Sequence, residues 1–353
     1  MELTSQIVEA AALGGVLLGG GGGGWPEDGL ASGKLALQVG NPRLIALSDL
    51  APDALVVTVS AVGAPAAVER YTRPMDFAAA VTALNQRLDG RIAGLITSEN
   101  GGAATVNGWF QSAVTGIPVA DAACNGRAHP TGVMGSMGLD ADPGYRSVQA
   151  AVGGNPATGR RLQIVVEGSL AACDRTIRQA AVEAGGMVAV ARNPVTAAYV
   201  ADNGAPAAIS QAIRLGEIIL QQRPSGGEAV AAALAAELEG QVLTRGVARD
   251  FALETRGGYD VGHFRVDDVE ITFWNEYMTA DRGNLRLATF PDLIATLDAA
   301  TGDPVVSAAV TDGRELLVLT APKSRLLLGA GVRRPESLAP AEAAIGRPMA
   351  RYF

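Results

Sequence analysis

Six consecutive glycines, Gly19 to Gly24, constrain this chain more than any other feature. A helix cannot persist through them, because each glycine costs about 1 kcal/mol relative to alanine. The segment before them reads as a short helix. Ser5 caps it, Ile7, Val8, Ala11 and Ala12 share one side, and Gly14-Gly15 is expected to break it. Gly19, Gly21 and Gly24 satisfy G-x-G-x-x-G, as any six glycines do, but a helix and not a strand precedes them. The dinucleotide fingerprint therefore fails on context. No Gly-Lys-Ser/Thr closes a P-loop either. What remains is a backbone free to take positive φ and to approach another group closely. Two uses stay open: a tightly packed turn, or peptide N–H groups of Gly21, Gly22 and Gly23 lining a small anionic or polar ligand.

Beyond the run, short strands are expected at Leu35–Val39 and Leu55–Ser60. Asp76 then caps a helix in which Phe77, Val81, Leu84 and Leu88 form a single apolar stripe, and Asp89-Gly90 ends it. Arg91–Thr97 reads as a buried strand. Ala103–Thr115 reads as a helix with Val106, Trp109, Phe110 and Ala113 inward, stopped by Gly116. Ile117–Asp121 is a short strand and Ala122–Pro130 the loop after it. Leu162–Val166 is another strand, followed by helical segments at Ser169–Glu183, Ala207–Leu220 and Glu228–Leu238. This alternation argues for a parallel sheet covered on both faces.

After Gln241 the period changes to two: Val269, Ile271 and Phe273 alternate with Glu270, Thr272 and Trp274. Asp281–Asn284 is a turn, and Leu285–Thr289 and Leu316–Thr320 are further strands. Residues 240–322 therefore read as a small β-barrel or sandwich. Residues 1–239 form the α/β domain, and 323–353 a tail that packs back on it or stays apart.

Length and composition narrow the function class. The chain has 353 residues, 48% of them hydrophobic, enough for two cores. Its formal net charge of −8 disfavours nucleic acid and anionic membranes. The first residues carry an acid where a leader would be basic, and Ala10–Leu18 is too short to span a bilayer. Two cysteines make no disulfide framework, so a cytoplasmic, reducing compartment is expected.

Three segments carry chemistry. Ser98–Gly102 lies at the carboxyl end of a strand, where Glu99 and Asn100 offer an acceptor and an amide to a polar ring; a helix cap is the alternative for Asn100. Asp121–Pro130 gathers Asp121, Cys124, Asn125, Arg127 and His129 in ten residues. A Cys124 thiolate assisted by Arg127 or His129, a metal held by Asp121, Cys124 and His129, and a non-covalent binding loop all fit that composition. Cys173 and His263 read as structural. In the third segment, Asn275 puts an amide on the face of Val269, Ile271 and Phe273, with Glu276 on the other face.

Taken in order, the motifs have a familiar look. Leu18 with Gly19–Gly24, Ile117-Pro118-Val119 leading to Asp121 and Gly126-Arg127-Ala128, Asn275-Glu276-Tyr277 and Pro291-Asp292-Leu293-Ile294 together resemble the S-methyl thiohydantoin desulfurase family over roughly Thr4 to Arg347. The resemblance implies a three-layer α/β sandwich domain with a smaller β-barrel-like C-terminal domain. It also implies a link to hydantoin metabolism, hydantoinase/oxoprolinase subunits as partners, and loss of methanethiol from an S-methylated ring. The family's usual loop reads Asp-Ala-Asp-Gly-Met-Gly-Arg-Ala-Phe-Pro. Here Ala123 replaces the second aspartate, Cys124-Asn125 replaces Gly-Met, and His129 replaces phenylalanine.

The leading expectation is a hydrolase acting on a hydantoin-like or S-methyl thiohydantoin ring. In it Cys124 attacks, His129 moves the proton, and Arg127 with the glycine N–H groups holds negative charge; Gly21, Gly22, Gly23, Glu99, Asn100, Asp121, Asn125, Asn275 and Glu276 bind the ring. No cofactor is expected, and a divalent metal stays open. The alternatives are a non-catalytic subunit of a hydantoinase/oxoprolinase system and a metal-dependent cyclic-amide hydrolase. A homo-oligomer is expected.

Overall fold

In the computed structural model, which describes residues 1–64 and 67–353, two sheets share the chain. It opens with α1 (Ser5–Gly19) and α2 (Pro26–Val39). Then follow β1 (Leu44–Ile45), β2 (Leu55–Gly63), α3 (Pro74–Arg87), β3 (Ile92–Glu99), α4 (Trp109–Thr115) and β4 (Val119–Asn125). Next come β5 (Ser147–Gly153), β6 (Leu162–Gly168), α5 (Leu170–Glu183), β7 (Met187–Thr196), α6 (Ala197–Asn203) and β8 (Ala205–Pro206). The first sheet has the order β1-β4-β3-β2-β7-β5-β6, with β8 added to β4.

This sheet is mixed, not parallel throughout as the sequence suggests. The pairs β1/β4, β4/β3 and β3/β2 are parallel, whereas β2/β7, β7/β5, β5/β6 and β4/β8 are antiparallel. Successive residues of β5 show that helices cover both faces: Ala150 and Val152 join the core under α3, while Ala151 joins the core under α5.

Two helices, α7 (Ala208–Gln222) and α8 (Gly227–Glu237), lead to the second sheet. Its strands are β9 (Gln241–Arg256), β10 (Tyr259–Val266), β11 (Val269–Trp274), β12 (Glu276–Arg282), β13 (Leu285–Thr289), β14 (Leu293–Asp298), β15 (Pro304–Val305) and β16 (Glu315–Ala321). All pairs in the order β13-β12-β11-β10-β9-β16-β14-β15 are antiparallel. Within the described residues the order runs between two edge strands and does not close into a barrel.

Several local expectations fail for physical reasons. The first helix is capped by Thr4, whose Oγ1 accepts from Ile7 N, and it continues through Gly14-Gly15. A Cβ on Gly14 would stand 1.7 Å from Ala212 O, and one on Gly216 1.8 Å from Ala10 O. The glycines let α1 and α7 touch backbone to backbone, so packing offsets their poor helix propensity. Leu35–Val39 belongs to α2, which begins at Pro26 with Glu27 and Asp28 in its first turn. Residues 101–108 are turns, so α4 starts only at Trp109, while Gly116 ends it at φ +76° as expected.

The tail gains its order from both sheets. Leu326, Leu328, Val332, Leu338 and Met349 join the core that holds Leu17, Leu18 and Phe290. Arg334 pairs with Asp140 at 2.7 Å, and Arg347 with Glu270 at 2.8 Å. Among the described residues no helix is long and apolar enough to cross a membrane.

Candidate active site

The parallel strands β3 and β4 end beside a cavity of about 510 Å³. Open α/β sheets bind ligands at this edge. Ser98 and Glu99 reach it from β3, and His129–Gly132 from the loop beyond β4. Arg192 comes from β7, Arg178 from α5, and Gly23-Gly24 from the glycine run. Asn275 and Glu276 come from the second sheet. Leu35, Phe77 and Phe110, on α2, α3 and α4, supply an apolar wall.

Glu99 and His129 form one unit. The His129 amide donates to Glu99 Oε2 at 3.2 Å, and His129 Nε2 lies 3.2 Å from the same oxygen. His129 Nδ1 lies 3.0 Å from Thr131 O, and Nε2 also 3.4 Å from Ser98 O. Both ring nitrogens thus face oxygens. A neutral imidazole has only one N–H to give. When Nδ1–H donates to Thr131 O, a protonated Glu99 can donate to Nε2, and the Ser98 carbonyl, itself an acceptor, is left facing Nε2. Burial accordingly raises the Glu99 carboxyl to about 7, against the His129 amide and the charges of Arg192 and Arg178. Burial, with the Arg192 charge, lowers His129 to about 4. A Cβ on Gly135 would stand 2.3 Å from His129 Cε1, so the ring is held from behind as well.

Glu276 is the second acid. Its side chain is buried, and among the described residues its Oε2 has no hydrogen-bond partner. Burial pushes its carboxyl well above the ordinary range, and the Glu99 charge pushes it further; Arg127 and Arg178 oppose this. Gly22 makes the room, since a Cβ there would stand 2.0 Å from Glu276 Oε1. Two carboxyls that face one cavity and resist ionisation are the usual raw material of acid–base chemistry.

The structure brings only part of the expected set to this cavity. Gly23, Glu99, His129, Asn275 and Glu276 line it. Asn275 does not continue the β11 face: it sits between β11 and β12 at φ +57°, and its Oδ1 accepts from Asp260 N. Cys124 is outside the cavity. Residues 122–125 are strand and not loop, and the strand's alternation turns Cys124 into the core of Ile96, Met137 and Val200. Its Sγ lies 3.1 Å from Thr58 Oγ1, and burial raises the thiol to about 11. A group so placed supplies no thiolate near neutral pH.

Arg127 is a clamp between the sheets. Fully buried, it donates to Tyr277 O at 2.8 Å and to Asp292 O, with its guanidinium 4.5 Å from the Phe290 ring centroid. Asp121 caps α7, accepting from Ile209 N, Ser210 N and Ser210 Oγ. Asn100 donates to Gly126 O and Ala208 O, and Asn125 holds Arg127 O and Gly329 N. Gly21 packs against the Tyr277 ring, and its carbonyl accepts from Ser307. Asp121, Cys124 and His129 thus point to three different surroundings, and no trio of His, Cys, Asp or Glu is grouped for a metal among the described residues.

Arg178 and Arg192 went unnoticed in the sequence. Arg192 had a signal: it interrupts the apolar run Met187–Ala191 with a cation. Arg178 lies beside the apolar stripe of an ordinary amphipathic helix and had none.

Residues 6–158 match the S-Me-THD-like N-terminal domain, and residues 169–331 match the S-Me-THD-like C-terminal domain. The chain belongs to the S-Me-THD-like family. The family's division at 158/169 falls within the first sheet, whereas the change of sheet comes after α8. A protein from Chromobacterium violaceum, solved by X-ray crystallography, has the same fold, with a TM-score of 0.74 at 22% identity over 97% of this chain and 96% of that one. No curated protein matches the chain. Family membership suggests a role on thiohydantoin.

Proposed function

We propose that this chain hydrolyses an S-methyl thiohydantoin-type ring, with Glu99 and Glu276 as its acid–base pair. The observation that carries the reading is the meeting of two buried, hard-to-ionise carboxyls from different sheets in one cavity. Family membership supplies the ring.

The chemistry balances without a covalent enzyme intermediate. The ring carbon that bears sulfur is double-bonded to a ring nitrogen. Ionised Glu99 takes a proton from water as the oxygen bonds to that carbon, while protonated Glu276 gives its proton to the ring nitrogen. The tetrahedral carbon then carries hydroxyl and methylthio groups. As the C–S bond breaks, the hydroxyl proton passes to Glu276 and the Glu99 proton passes to sulfur. Methanethiol and the hydantoin carbonyl result, and both acids return to their starting state. His129 is a positioning residue that fixes the Glu99 carboxyl and takes part in holding its proton.

Methanethiol release from S-methyl thiohydantoin, followed across pH, tests this. Turnover should rise as Glu99 ionises near 7 and fall at higher pH as Glu276 ionises. Glu99→Gln and Glu276→Gln should each cost about 10²–10⁴-fold. Variants that keep wild-type turnover would sink the acid–base assignment. A chain inactive alone and active only with a hydantoinase/oxoprolinase partner would favour the accessory-subunit reading.

A further inference from the structure

A sheet leaves N–H and C=O groups unpaired along its edges, and proteins shorten, charge, bulge or cover such strands to prevent unwanted pairing. Most outer strands here follow that rule among the described residues. β1, β8 and β15 have two residues each, and β15 begins at Pro304. β13 has the tail beside it: Arg286 donates to Pro348 O at 3.1 Å, and its guanidinium lies 4.5 Å from the Tyr352 ring centroid.

β6 has none of these protections. Its seven residues, Leu162–Gly168, run beside β5 in an unbroken register and contain no proline and no lysine. In an antiparallel ladder every second residue turns its N–H and C=O away from the neighbouring strand. Beyond the ladder with β5, no backbone hydrogen bond of 162–168 occurs among the described residues. The side chains are open as well. Val165 is 44% exposed, and Leu162, Ile164 and Val166 are only half-buried against the core under α5.

We infer that a second copy of this chain pairs with β6, antiparallel and across a two-fold axis, joining the two first sheets into one. The strand's own sequence selects this occupant. The antiparallel register that pairs all seven residues is centred on Val165, which then faces the partner's Val165. On the α5 face Ile164 meets the partner's Val166, and the two-fold axis repeats the contact, so the aliphatic core continues across the interface. On the α3 face Gln163 meets the partner's Glu167, with Arg161 diagonal to it. Arg161 and Glu167 are both tied to α3, Arg161 through Asp76 at 2.6 Å and Glu167 through Arg87. Their charges therefore stand at opposite ends of the strand. An antiparallel copy brings the unlike ends together, whereas a parallel one would set Glu167 against the partner's Glu167. β6 ends the sheet on the side away from β3 and β4, so the interface involves neither the Glu99 nor the His129 segment.

Sedimentation equilibrium of the full chain tests this. The wild type should be at least dimeric at micromolar concentration. Val165→Lys sets like charges against each other at the two-fold axis and should weaken the dimer by at least about tenfold. Mixing that variant with Val165→Glu should restore a dimer containing one copy of each. Val165→Cys should form a covalent dimer on mild oxidation, because facing Cα atoms in such a ladder lie within disulfide range. The wild type, whose two cysteines are buried, should not. A wild-type chain that stays monomeric overturns the inference. So does a dimer that Val165→Lys leaves intact, which would place the interface elsewhere. If Val165→Lys fails to fold, the nearly isosteric Val165→Cys decides: a covalent dimer upholds the pairing, and its absence overturns it.

Discussion

Cys124 and His129 stand five positions apart on one segment, yet they end in opposite surroundings. Residues up to Asn125 remain in β4, where pairing with β3 and β8 dictates which way each side chain points. Cys124 is turned into an apolar core. After Asn125 the ladder stops, and the chain is free to place His129 against Glu99. Arg127, between them, is caught by the second sheet. Reactive residue types close together in sequence share a site only when the backbone lets them, and a ladder that runs a few residues longer is enough to part them.

The largest expected effect is at the clamp. Arg127→Met removes the donor from Tyr277 O and Asp292 O, buried where the two sheets meet, and should cost about 3–5 kcal/mol of unfolding free energy in urea melts. A loss under 1 kcal/mol would deny it that role.

Acid stability sharpens the Glu99–His129 half of the contrast. Folded Glu99 holds its proton up to about 7 against 4.5 ordinarily, so its contribution favours the folded state at low pH and is lost as pH rises through that window. Folded His129 resists its proton down to about 4 against 6.5, so its contribution is lost as pH falls through nearly the same window. The two oppose each other, and wild-type stability should change little from pH 6.5 to 4 on their account. Glu99→Gln leaves the histidine uncompensated and should lose roughly 3 kcal/mol over that interval. A variant no more acid-labile than wild type would break the pairing.

His129→Ala should lower turnover by about 10–100-fold and shift the rising limb of the pH profile, since Glu99 loses the ring that shares its proton. An unshifted limb would make His129 mere filling. Cys124→Ala should have the smallest effect, a loss of about 1 kcal/mol for the void with turnover within twofold. The wild-type thiol should resist alkylation until the protein unfolds. Rapid alkylation at pH 7 in the native state would reverse the contrast drawn between the two residues.

Much of the fold was legible because period and punctuation agreed. The stripe from Phe77 to Leu84, the Gly116 stop, and the alternation of Val269–Phe273 all lie in elements of the expected type. The strand Ser147–Gly153 was hidden because it is buried on both faces and built of small residues, so no alternation marks it. The edge of the sheet that holds the site was legible from Glu99 following a strand. Which neighbours join it was not, because Arg178, Arg192 and Glu276 are brought in by tertiary folding from elements far apart in sequence.

The glycine wall also bears on how such a pocket can evolve. The carbonyls of Gly20, Gly21 and Gly23 accept from Tyr277, Ser307 and Ala103, and a side chain at Gly22 would displace Glu276. Mutation has almost no freedom on that side without dismantling the acid. Leu35, Phe77 and Phe110 are side chains on helices and can be exchanged one at a time. A lineage seeking a new substrate from this scaffold would therefore diversify its helical wall and inherit its glycines unchanged.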